Sequence, residues 1–280
     1  MKNQGLYEKT YNNKKHFSFG KNWSKFLGSL DENKIQEAQK SLEEFLGGKD
    51  KINQKTFVDI GCGSGLFSLS AYRLGAARVL SVDIDDFSLE CAKHLHAKEG
   101  NPDTWKIQKG SALDKDFIGS LGRYDIVYSW GVLHHTGDMW NAIENTMALV
   151  SDNGLFYIAL YKKNEKYVLE GTSDSWIHLK QVYNAHGNFV KQSMEVLYSM
   201  YYFAGLIAHG INPISYVKKY STLRGMDFWT DIRDWLGGYP YEFASVEEVK
   251  EFFIHHGFET IKVCEVRSLG CNEFLFKKIV

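Results

Sequence analysis

The stretch that most constrains the fold of this chain is TFVDIGCGSG, which runs from Thr56 to Gly65. A short apolar run, typical of a buried β-strand, ends in Asp59 and is followed by three alternating glycines. Because glycine reaches positive φ angles and lacks a Cβ atom, this loop can turn sharply and bring its N–H groups close to a ligand. We predict a helix from about Ser64 to Leu74, whose positive N-terminal end points at the same ligand.

A second strand ending in an acid follows in the sequence VLSVDID, from Val79 to Asp85. In nucleotide-binding α/β folds an acid about 20 residues after the glycine loop binds the two ribose hydroxyls, so we predict Asp83 as the ribose ligand. A dinucleotide loop has the spacing GxGxxG, whereas this loop has GxGxG. The alternative interpretation is an ordinary glycine turn with Asp83 as a helix N-cap.

The loop and the acid together carry a family resemblance, because VDIGCGSG resembles motif I of the class I S-adenosylmethionine (SAM) dependent methyltransferases. The resemblance implies a Rossmann-like α/β fold, with a seven-stranded sheet in the order 3-2-1-4-5-7-6 and an antiparallel last strand. It also implies SAM as the cofactor. The cofactor-binding residues expected around the first two strands are Asp59, Gly61, Cys62, Gly63, Gly65, Asp83 and Ile84.

The arrangement of the whole chain, from FGKNW through YSWGVLHHTG and DWLGGYP to LGCNEF, also resembles a bacterial group usually labelled UbiG-like methyltransferases. That label reflects the cofactor domain and leaves the methyl acceptor open. The class I motifs account for Lys55 to Leu160 and for the closing hairpin. We therefore predict that residues 51–161 and 245–280 form the SAM-binding core.

The composition argues against several other classes of protein. A chain of 280 residues is long enough for one α/β domain with an insertion. Its net charge of -1 argues against a nucleic-acid partner. No run resembles a signal peptide or a spanning helix, so we expect a cytoplasmic protein without an integral membrane segment. The cysteines have none of the paired spacings of a zinc site, so we expect no metal.

Residues 1–50 are predicted to form an N-terminal helical lid. The apolar residues from Asp31 to Leu46 follow helical spacing, with Asp31 as N-cap and glycines at the end. Upstream, Phe19 and Trp23 lie in the segment HFSFGKNWSKF. These two aromatic residues either close over the cofactor or pack under the predicted helix.

The third strand is predicted from Trp105 to Gln108, and the residues KGSALD follow it. In the resembling family an acid after this strand usually holds the adenine amino group. Here Ser111 stands at that place, with Ala112 and Leu113 beside it, and a hydroxyl accepts a hydrogen bond more weakly than a carboxylate does. Asp114 is the alternative adenine partner, unless it only caps the next helix.

The fourth strand, YDIVYSW, leads into GVLHHTG, which must lie at the ligand cleft because ligands of open α/β sheets bind beyond the carboxyl ends of the strands. Trp130 is therefore a predicted cofactor contact. Histidine titrates near neutrality and can take a proton from a nucleophile. We predict His134 as the first choice of catalytic base and His135 as the second. The alternative is that one or both of them pack or cap.

Residues 162–244 interrupt the core pattern with helical, aromatic-rich segments, and they are too long for a loop without structure. We predict a helical cap that shapes the substrate pocket. Asp231, from the cap, and Tyr161, at the end of the fifth strand, are predicted to orient the acceptor. The alternative for the segment around Asp231 is a solvated helix face with an apolar back.

The sequence therefore predicts a SAM-dependent methyltransferase that acts on a small-molecule or glycan-type acceptor, most readily at oxygen. Such a transfer needs alignment, exclusion of water and a base, and no metal. The alternatives are a quinone O-methyltransferase, with Tyr198 to Ile207 as its membrane-facing helix, and a non-enzymatic SAM-binding regulator. The sequence predicts no oligomeric state.

Overall fold

A computed structural model describes residues 30–165, 171–224, 228–267 and 270–279, and a seven-stranded sheet lies at the centre of these residues. Its strand order is β3-β2-β1-β4-β5-β7-β6, and β7 runs antiparallel to both of its neighbours. The predicted fold class and strand order are confirmed. The strands are β1 Thr56–Ile60, β2 Arg78–Asp83, β3 Trp105–Lys109, β4 Tyr124–Trp130, β5 Val150–Tyr161, β6 Phe258–Cys264 and β7 Cys271–Lys278.

Helices cover both faces of this sheet and also form a layer beyond its carboxyl edge. In chain order they are α1 Glu32–Leu46, α2 Leu66–Arg73, α3 Asp86–Lys98, α4 Lys115–Ser120, α5 Met139–Met147, α6 Ser173–Ala185, α7 Asn188–Ala208, α8 Pro213–Arg224, α9 Phe228–Gly237 and α10 Val246–His255. A short 3₁₀ turn, Leu133–His135, follows β4.

Successive side chains of the central strands enter two different cores, which is why β1 and β4 are mostly apolar, whereas the edge strands β3 and β6 are partly exposed. Phe57 of β1 packs with residues of α1, α2 and α3 on one face. Its neighbour Val58 packs with residues of α4, α5 and α10 on the other face. The centre of the sheet is therefore buried on both faces, and its carboxyl edge is left to carry a site.

Local sequence signals set most of the helix ends. Asp31 caps α1, since its side chain accepts a hydrogen bond from the N–H of Lys34. Ser245 and Glu248 form the reciprocal capping box that starts α10. The helix after the glycine loop begins at Leu66, two residues later than predicted, because Gly65 has a φ angle of 80° and cannot belong to the helix.

Helices α6 to α9 lie between β5 and α10, where the sequence predicts a cap. They pack around a third cluster of buried aromatic side chains, centred on Trp176, Tyr220 and Phe228. A bridge between Lys162 and Ala244 closes this insertion onto the end of β5. The division of the chain into lid, core and cap remains a prediction. Phe19 and Trp23 lie outside the described residues.

The described part of the chain has neither a membrane-spanning helix nor a cluster of metal ligands. None of its helices combines the length and the apolar character that crossing a membrane requires. No group of three or more His, Cys, Asp or Glu side chains in that part is placed to hold a metal ion.

Phe253 of α10 tests how much this packing contributes to stability. Its ring is fully buried and stacks on Phe276 of β7, with centroids 3.7 Å apart. We expect Phe253→Ala to lower the free energy of unfolding by about 3 to 5 kcal/mol, measured by urea denaturation. The matched control is Ile254→Ala, because the adjacent Ile254 is 57% exposed. An equal loss in both variants would contradict the described orientation of α10.

Candidate active site

One cavity of about 1420 Å³ lies at the carboxyl edge of the sheet. Its floor comes from the ends of β1, β2 and β4, and its roof comes from α7 and α9 of the helical insertion. The glycine loop and the aromatic insertion thus open into a single space. A ligand held by the loop and a second ligand held under the helices would meet inside it.

The glycine loop requires its glycines. Gly61, Gly63 and Gly65 have φ angles of 77°, 53° and 80°. A Cβ atom on Gly61 would lie 2.3 Å from a methyl group of Val132, and one on Gly65 would lie 2.9 Å from the backbone of Ala92. The loop backbone is therefore exposed to the cavity and packed tightly from behind, as a cradle for a ligand must be.

Asp83 ties this loop to the end of β2. One carboxylate oxygen accepts a hydrogen bond from the N–H of Gly63 and the other from the N–H of Asp85, both at 2.9 Å. Burial raises the pKa of Asp83 to about 6, although these hydrogen bonds oppose the shift. The N-cap of α3 is Asp85, which accepts from the N–H of Ser88. Asp83 therefore lies in the cavity wall, and the alternative N-cap role belongs to its neighbour.

Asp59 is buried at the base of the loop and ends a chain of hydrogen bonds that crosses three strands. The indole N–H of Trp105 donates to Ser81 at 2.8 Å, Ser81 donates to Ser68 at 2.6 Å, and Ser68 donates to Asp59 at 2.7 Å. Burial raises the pKa of Asp59 to about 7. Burial also raises the pKa of the Cys62 thiol, which lines the cavity and stays protonated.

The segment after β3 forms the far wall of the cavity. Ser111, Ala112 and Leu113 line it, and so does Ile84 from the end of β2. The Ser111 hydroxyl accepts from the N–H of Leu113 at 3.2 Å, and Asn145 holds the Ala112 carbonyl at 3.1 Å. These bonds fix the segment at the place where the resemblance puts the adenine ring.

Asp114 caps α4 by accepting from the N–H of Phe117, and it is not among the residues that line the cavity. The capping alternative for Asp114 is therefore the one that the structure supports.

The two adjacent histidines have different surroundings, and His135, the second choice of base, is the one that lies at the cavity. His134, predicted as the first choice of base, is fully buried and does not line the cavity. Its Nδ1 accepts from the N–H of Tyr161 at 3.3 Å, and its pKa is lowered well below the usual value by burial and then by His135 and Lys180. His135 does line the cavity. The 3₁₀ turn directs one imidazole into the core and the next one outward.

His135 is oriented by the segment that links α9 to α10. Its Nδ1 lies 2.5 Å from the carbonyl oxygen of Pro240. A carbonyl oxygen only accepts, so Nδ1 carries the proton and the lone pair of the neutral ring is on Nε2. The same segment binds the turn at two further points: the N–H of Glu242 donates to the His134 carbonyl, and the Glu242 carboxylate accepts from the N–H groups of Gly137 and Met139.

Tyr161 and Asp231 both line the cavity under the roof. The Tyr161 ring packs on His134, with centroids 4.0 Å apart, and burial raises the pKa of Tyr161 well above its usual value, so its hydroxyl stays protonated. Asp231 accepts a short hydrogen bond from the Tyr220 hydroxyl. Trp130, at the end of β4, also lines the cavity and is 43% exposed.

Two charged residues of this region were missed by the sequence analysis. Glu273 of β7 lies in the cavity wall, and an acid within the apolar strand CNEFLF was the available signal. Lys180 of α6 is fully buried, donates to the Trp235 carbonyl, and has its ammonium 4.8 Å from the ring centroids of Trp235 and Tyr241. Burial lowers the pKa of Lys180 to about 7. A lysine at that place gives no signal in the sequence, since lysines are common on helices.

The burial of Asp59 predicts how stability depends on pH. A carboxyl whose pKa rises from 3.8 to about 7 on folding holds a proton in the folded chain that the unfolded chain has lost, so stability falls as pH rises through this range. We expect Asp59→Asn to flatten the decline by up to about 1.4 kcal/mol per pH unit, measured by urea denaturation from pH 5 to 8. Asp103→Asn, at an exposed carboxylate, is the control. An unchanged slope in Asp59→Asn would refute the assignment.

Comparisons with known proteins agree with this geometry. A family model described as a methyltransferase domain matches residues 58–156. A ubiquinone biosynthesis O-methyltransferase of Nitrosomonas europaea is 28% identical over 62% of this chain and 72% of its own length. A ribosomal protein L11 methyltransferase of Macrococcus caseolyticus is 28% identical, over 46% of this chain and only 37% of its own length.

A solved structure supports the fold. The magnesium protoporphyrin IX methyltransferase of Synechocystis with bound S-adenosylhomocysteine (SAH) aligns with a TM-score of 0.51 over 87% of this chain and 83% of its own, at 13% identity. The sheet order, the glycine loop, the acid after β2 and the matching domain model agree with one another. Residues 58–156 are a methyltransferase domain, and these findings together support a class I SAM-dependent methyltransferase.

Proposed function

We propose that this enzyme transfers the methyl group of SAM to an oxygen of a small molecule or glycan precursor held under helices α7 and α9. The observation that supports this most directly is the single cavity that joins the glycine loop to the aromatic insertion. SAM alone would occupy the loop end, which leaves the roof end for an acceptor. Acceptor and cofactor can then meet away from water.

The residues around the loop fit SAM. The glycines, which have left-handed backbone angles, leave room for the ligand beside the backbone. The Asp83 carboxylate accepts two hydrogen bonds from the backbone, and its remaining lone pairs can accept from the ribose hydroxyls. Ser111, Ala112 and Leu113 would flank the adenine. Bound SAM supplies a methyl group on a positively charged sulfur, a charge that is neutralised when the methyl leaves. The chain itself must therefore align the acceptor and remove its proton.

His135 is the base in this proposal, in place of the predicted first choice His134. It lies in the cavity wall, and the Pro240 carbonyl fixes the tautomer whose Nε2 accepts a proton. His134 is fully buried outside the cavity wall and its low pKa results from that burial, so it supports the turn. The carbonyl also stabilises the imidazolium that forms when His135 takes the proton.

Asp231 and Tyr161 complete the acceptor end. The Asp231 carboxylate, held by Tyr220, accepts from an acceptor hydroxyl, and the protonated Tyr161 hydroxyl donates. The surrounding wall is mainly aromatic, with Trp176, Tyr198, Tyr202 and Trp235. Flat rings and carboxylates suit a neutral acceptor that has hydroxyl groups and an apolar face.

A quinone-type acceptor is the second candidate, and a specific feature of α7 favours it. Large apolar side chains of α7 point outward, among them Leu197, Met200 and Ile207, which are 62% to 66% exposed. The inner side of the same helix lines the cavity. A helix of this kind can rest on a lipid surface and pass a lipophilic acceptor to the cavity. The named activity of the Nitrosomonas relative is consistent with such an acceptor.

The role of His135 is tested by turnover. We expect His135→Ala to lower SAH formation by about 10²- to 10⁴-fold, the usual contribution of a general base, with nearly unchanged SAM affinity. The assay uses an acceptor that the wild-type enzyme methylates in a panel of hydroxylated small molecules and glycan precursors. The wild-type rate should also fall at acid pH, where the imidazole is protonated.

His256→Ala is the matched control for this test, because His256 is exposed at the end of α10 and does not line the cavity, and its Nδ1 also lies close to a backbone carbonyl, that of Phe252. Near wild-type turnover in the His135 variant would show that the base is another group, with Asp231 the next residue to replace. A wild-type chain that binds SAM and methylates nothing in the panel would argue against small-molecule acceptors.

The second candidate is tested with lipid vesicles. We expect the double substitution Leu197→Glu and Met200→Glu to reduce co-sedimentation of the protein with phosphatidylglycerol vesicles by about tenfold, because two charges on the outward face oppose insertion. The control places glutamates at Ile254 and Ile261, which are 57% and 50% exposed elsewhere on the surface. Equal loss in both double variants, or no binding by the wild-type protein, would count against a lipid-borne acceptor.

A further inference from the structure

The stretch between helix α9 and Ala244 makes the contact that orients the proposed base. Residues 238–243, which we call the linker, belong to no helix or strand. They nevertheless carry the Pro240 carbonyl, whose oxygen lies 2.5 Å from Nδ1 of His135. Because no regular structure places this carbonyl, its position is set by the contacts that the linker makes with its neighbours.

Glu242 of the linker makes three hydrogen bonds, and all of them go to the turn that carries the histidines or to the start of α5. Its N–H donates to the His134 carbonyl at 2.9 Å. One carboxylate oxygen accepts from the N–H of Gly137 at 2.9 Å, and the other accepts from the N–H of Met139 at 3.0 Å. The backbone and the side chain of one residue therefore both tie the linker to residues 134–139.

Helix α5 takes its cap from this distant carboxylate. Asp138 occupies the N-cap position, but its side chain makes no capping hydrogen bond. The first N–H groups of a helix need acceptors, and a carboxylate suits them because the N-terminus is the positive end of the helix. A local cap would satisfy these groups equally well. An acceptor more than 100 residues further along the chain also fixes the distance between α5 and the linker.

Packing holds the linker as well, so loss of the carboxylate would change its orientation and leave it in place. A Cβ atom on Gly137 would lie 3.5 Å from Cγ of Pro240, so the proline ring rests on this turn. Tyr241 is 4% exposed and has its ring centroid 4.9 Å from that of Tyr161. Glu242 itself is not among the residues that line the cavity. It can therefore affect a reaction there only through the residues that it holds.

We propose that Glu242 is a positioning residue for His135: its carboxylate holds the linker so that the Pro240 carbonyl faces Nδ1 and the lone pair stays on Nε2. The proposal rests on the proposed function, in which His135 is the base. With a loose linker the imidazole can rotate or exchange its tautomers, and the lone pair then leaves the place where the acceptor proton lies. A displacement of about 1 Å can lower a rate by about 10²-fold.

Turnover tests the catalytic part of the proposal. Glutamine keeps the size of the side chain but offers one acceptor oxygen in place of two. We expect Glu242→Gln to lower kcat for SAH formation by about tenfold or more and to change the KM of the acceptor by less than about threefold. The matched control is Glu248→Gln, because Glu248 also accepts from a backbone N–H at a helix start, that of Ser245 at 2.8 Å, and does not line the cavity.

Nitrogen NMR of the labelled imidazole rings gives a readout that needs no acceptor and that a purely structural role would not change. At mildly alkaline pH the imidazole is neutral, and we expect the wild-type His135 to show a single tautomer with the proton on Nδ1. The signals are assigned with His135→Ala. In Glu242→Gln we expect the averaged signals of two tautomers, and in Glu248→Gln we expect the wild-type signals. A general loss of stability would lower the urea midpoint and leave the tautomer unchanged.

The outcomes also separate this proposal from the proposed function. The positioning role is refuted if Glu242→Gln keeps a single His135 tautomer, whatever its turnover, or keeps the wild-type kcat while His135→Ala loses it. An equal fall of kcat in Glu242→Gln and Glu248→Gln would refute it too. If the tautomers mix in Glu242→Gln and His135→Ala keeps its turnover, Glu242 does position the imidazole, and it is the proposed base that is refuted.

Discussion

The hydrogen bond from the Gly63 N–H to the Asp83 carboxylate is the contact on which the cavity depends. It joins the loop after β1 to the end of β2, so it sets both the shape of the glycine cradle and the place of the predicted ribose ligand. The loop needs a left-handed backbone at each glycine, and Val132 closes it from behind. A buried carboxylate with two backbone donors is a strong local restraint, and the cofactor end of the cavity is organised around it.

That restraint has an electrostatic cost that a cation can offset. Burial raises the pKa of Asp83 to about 6 and that of Asp59 to about 7, so both carboxyls are weaker acids than an ordinary aspartic acid side chain. Without a positive group nearby, folding at neutral pH must bury charge at both positions. SAM has two positive groups, the sulfonium and the ammonium. Ionisation of these two buried carboxyls therefore opposes folding as the pH rises, and a cation bound beside them would offset that cost.

The sequence predicted the fold because the fold depends on local patterns, and the same patterns place the glycine loop and Asp83 at the cavity. Strand length, glycine spacing and caps such as Asp31 and Ser245 act over a few residues, and motif I brings a known sheet order with it. The rest of the cavity wall depends on contacts between residues that are far apart in the sequence. Which histidine faces the cavity is set by Pro240, more than 100 residues further on, and Glu273 reaches Trp130 only because β7 pairs with β5. No spacing rule reveals such contacts.

The segment after α9 connects the helical insertion to the turn that carries the two histidines. Its Pro240 carbonyl fixes the His135 tautomer. Its Glu242 carboxylate accepts hydrogen bonds from two backbone N–H groups at the start of α5. Helix α9, which precedes the segment, carries Asp231. Lys180 of α6 binds the Trp235 carbonyl near the end of α9, so the buried cation helps to fix where this segment begins. A change in the insertion would therefore move the Pro240 carbonyl and His135 as well as the cavity wall. If His135 is the base that we propose, a changed insertion keeps activity only when it still places that carbonyl against His135.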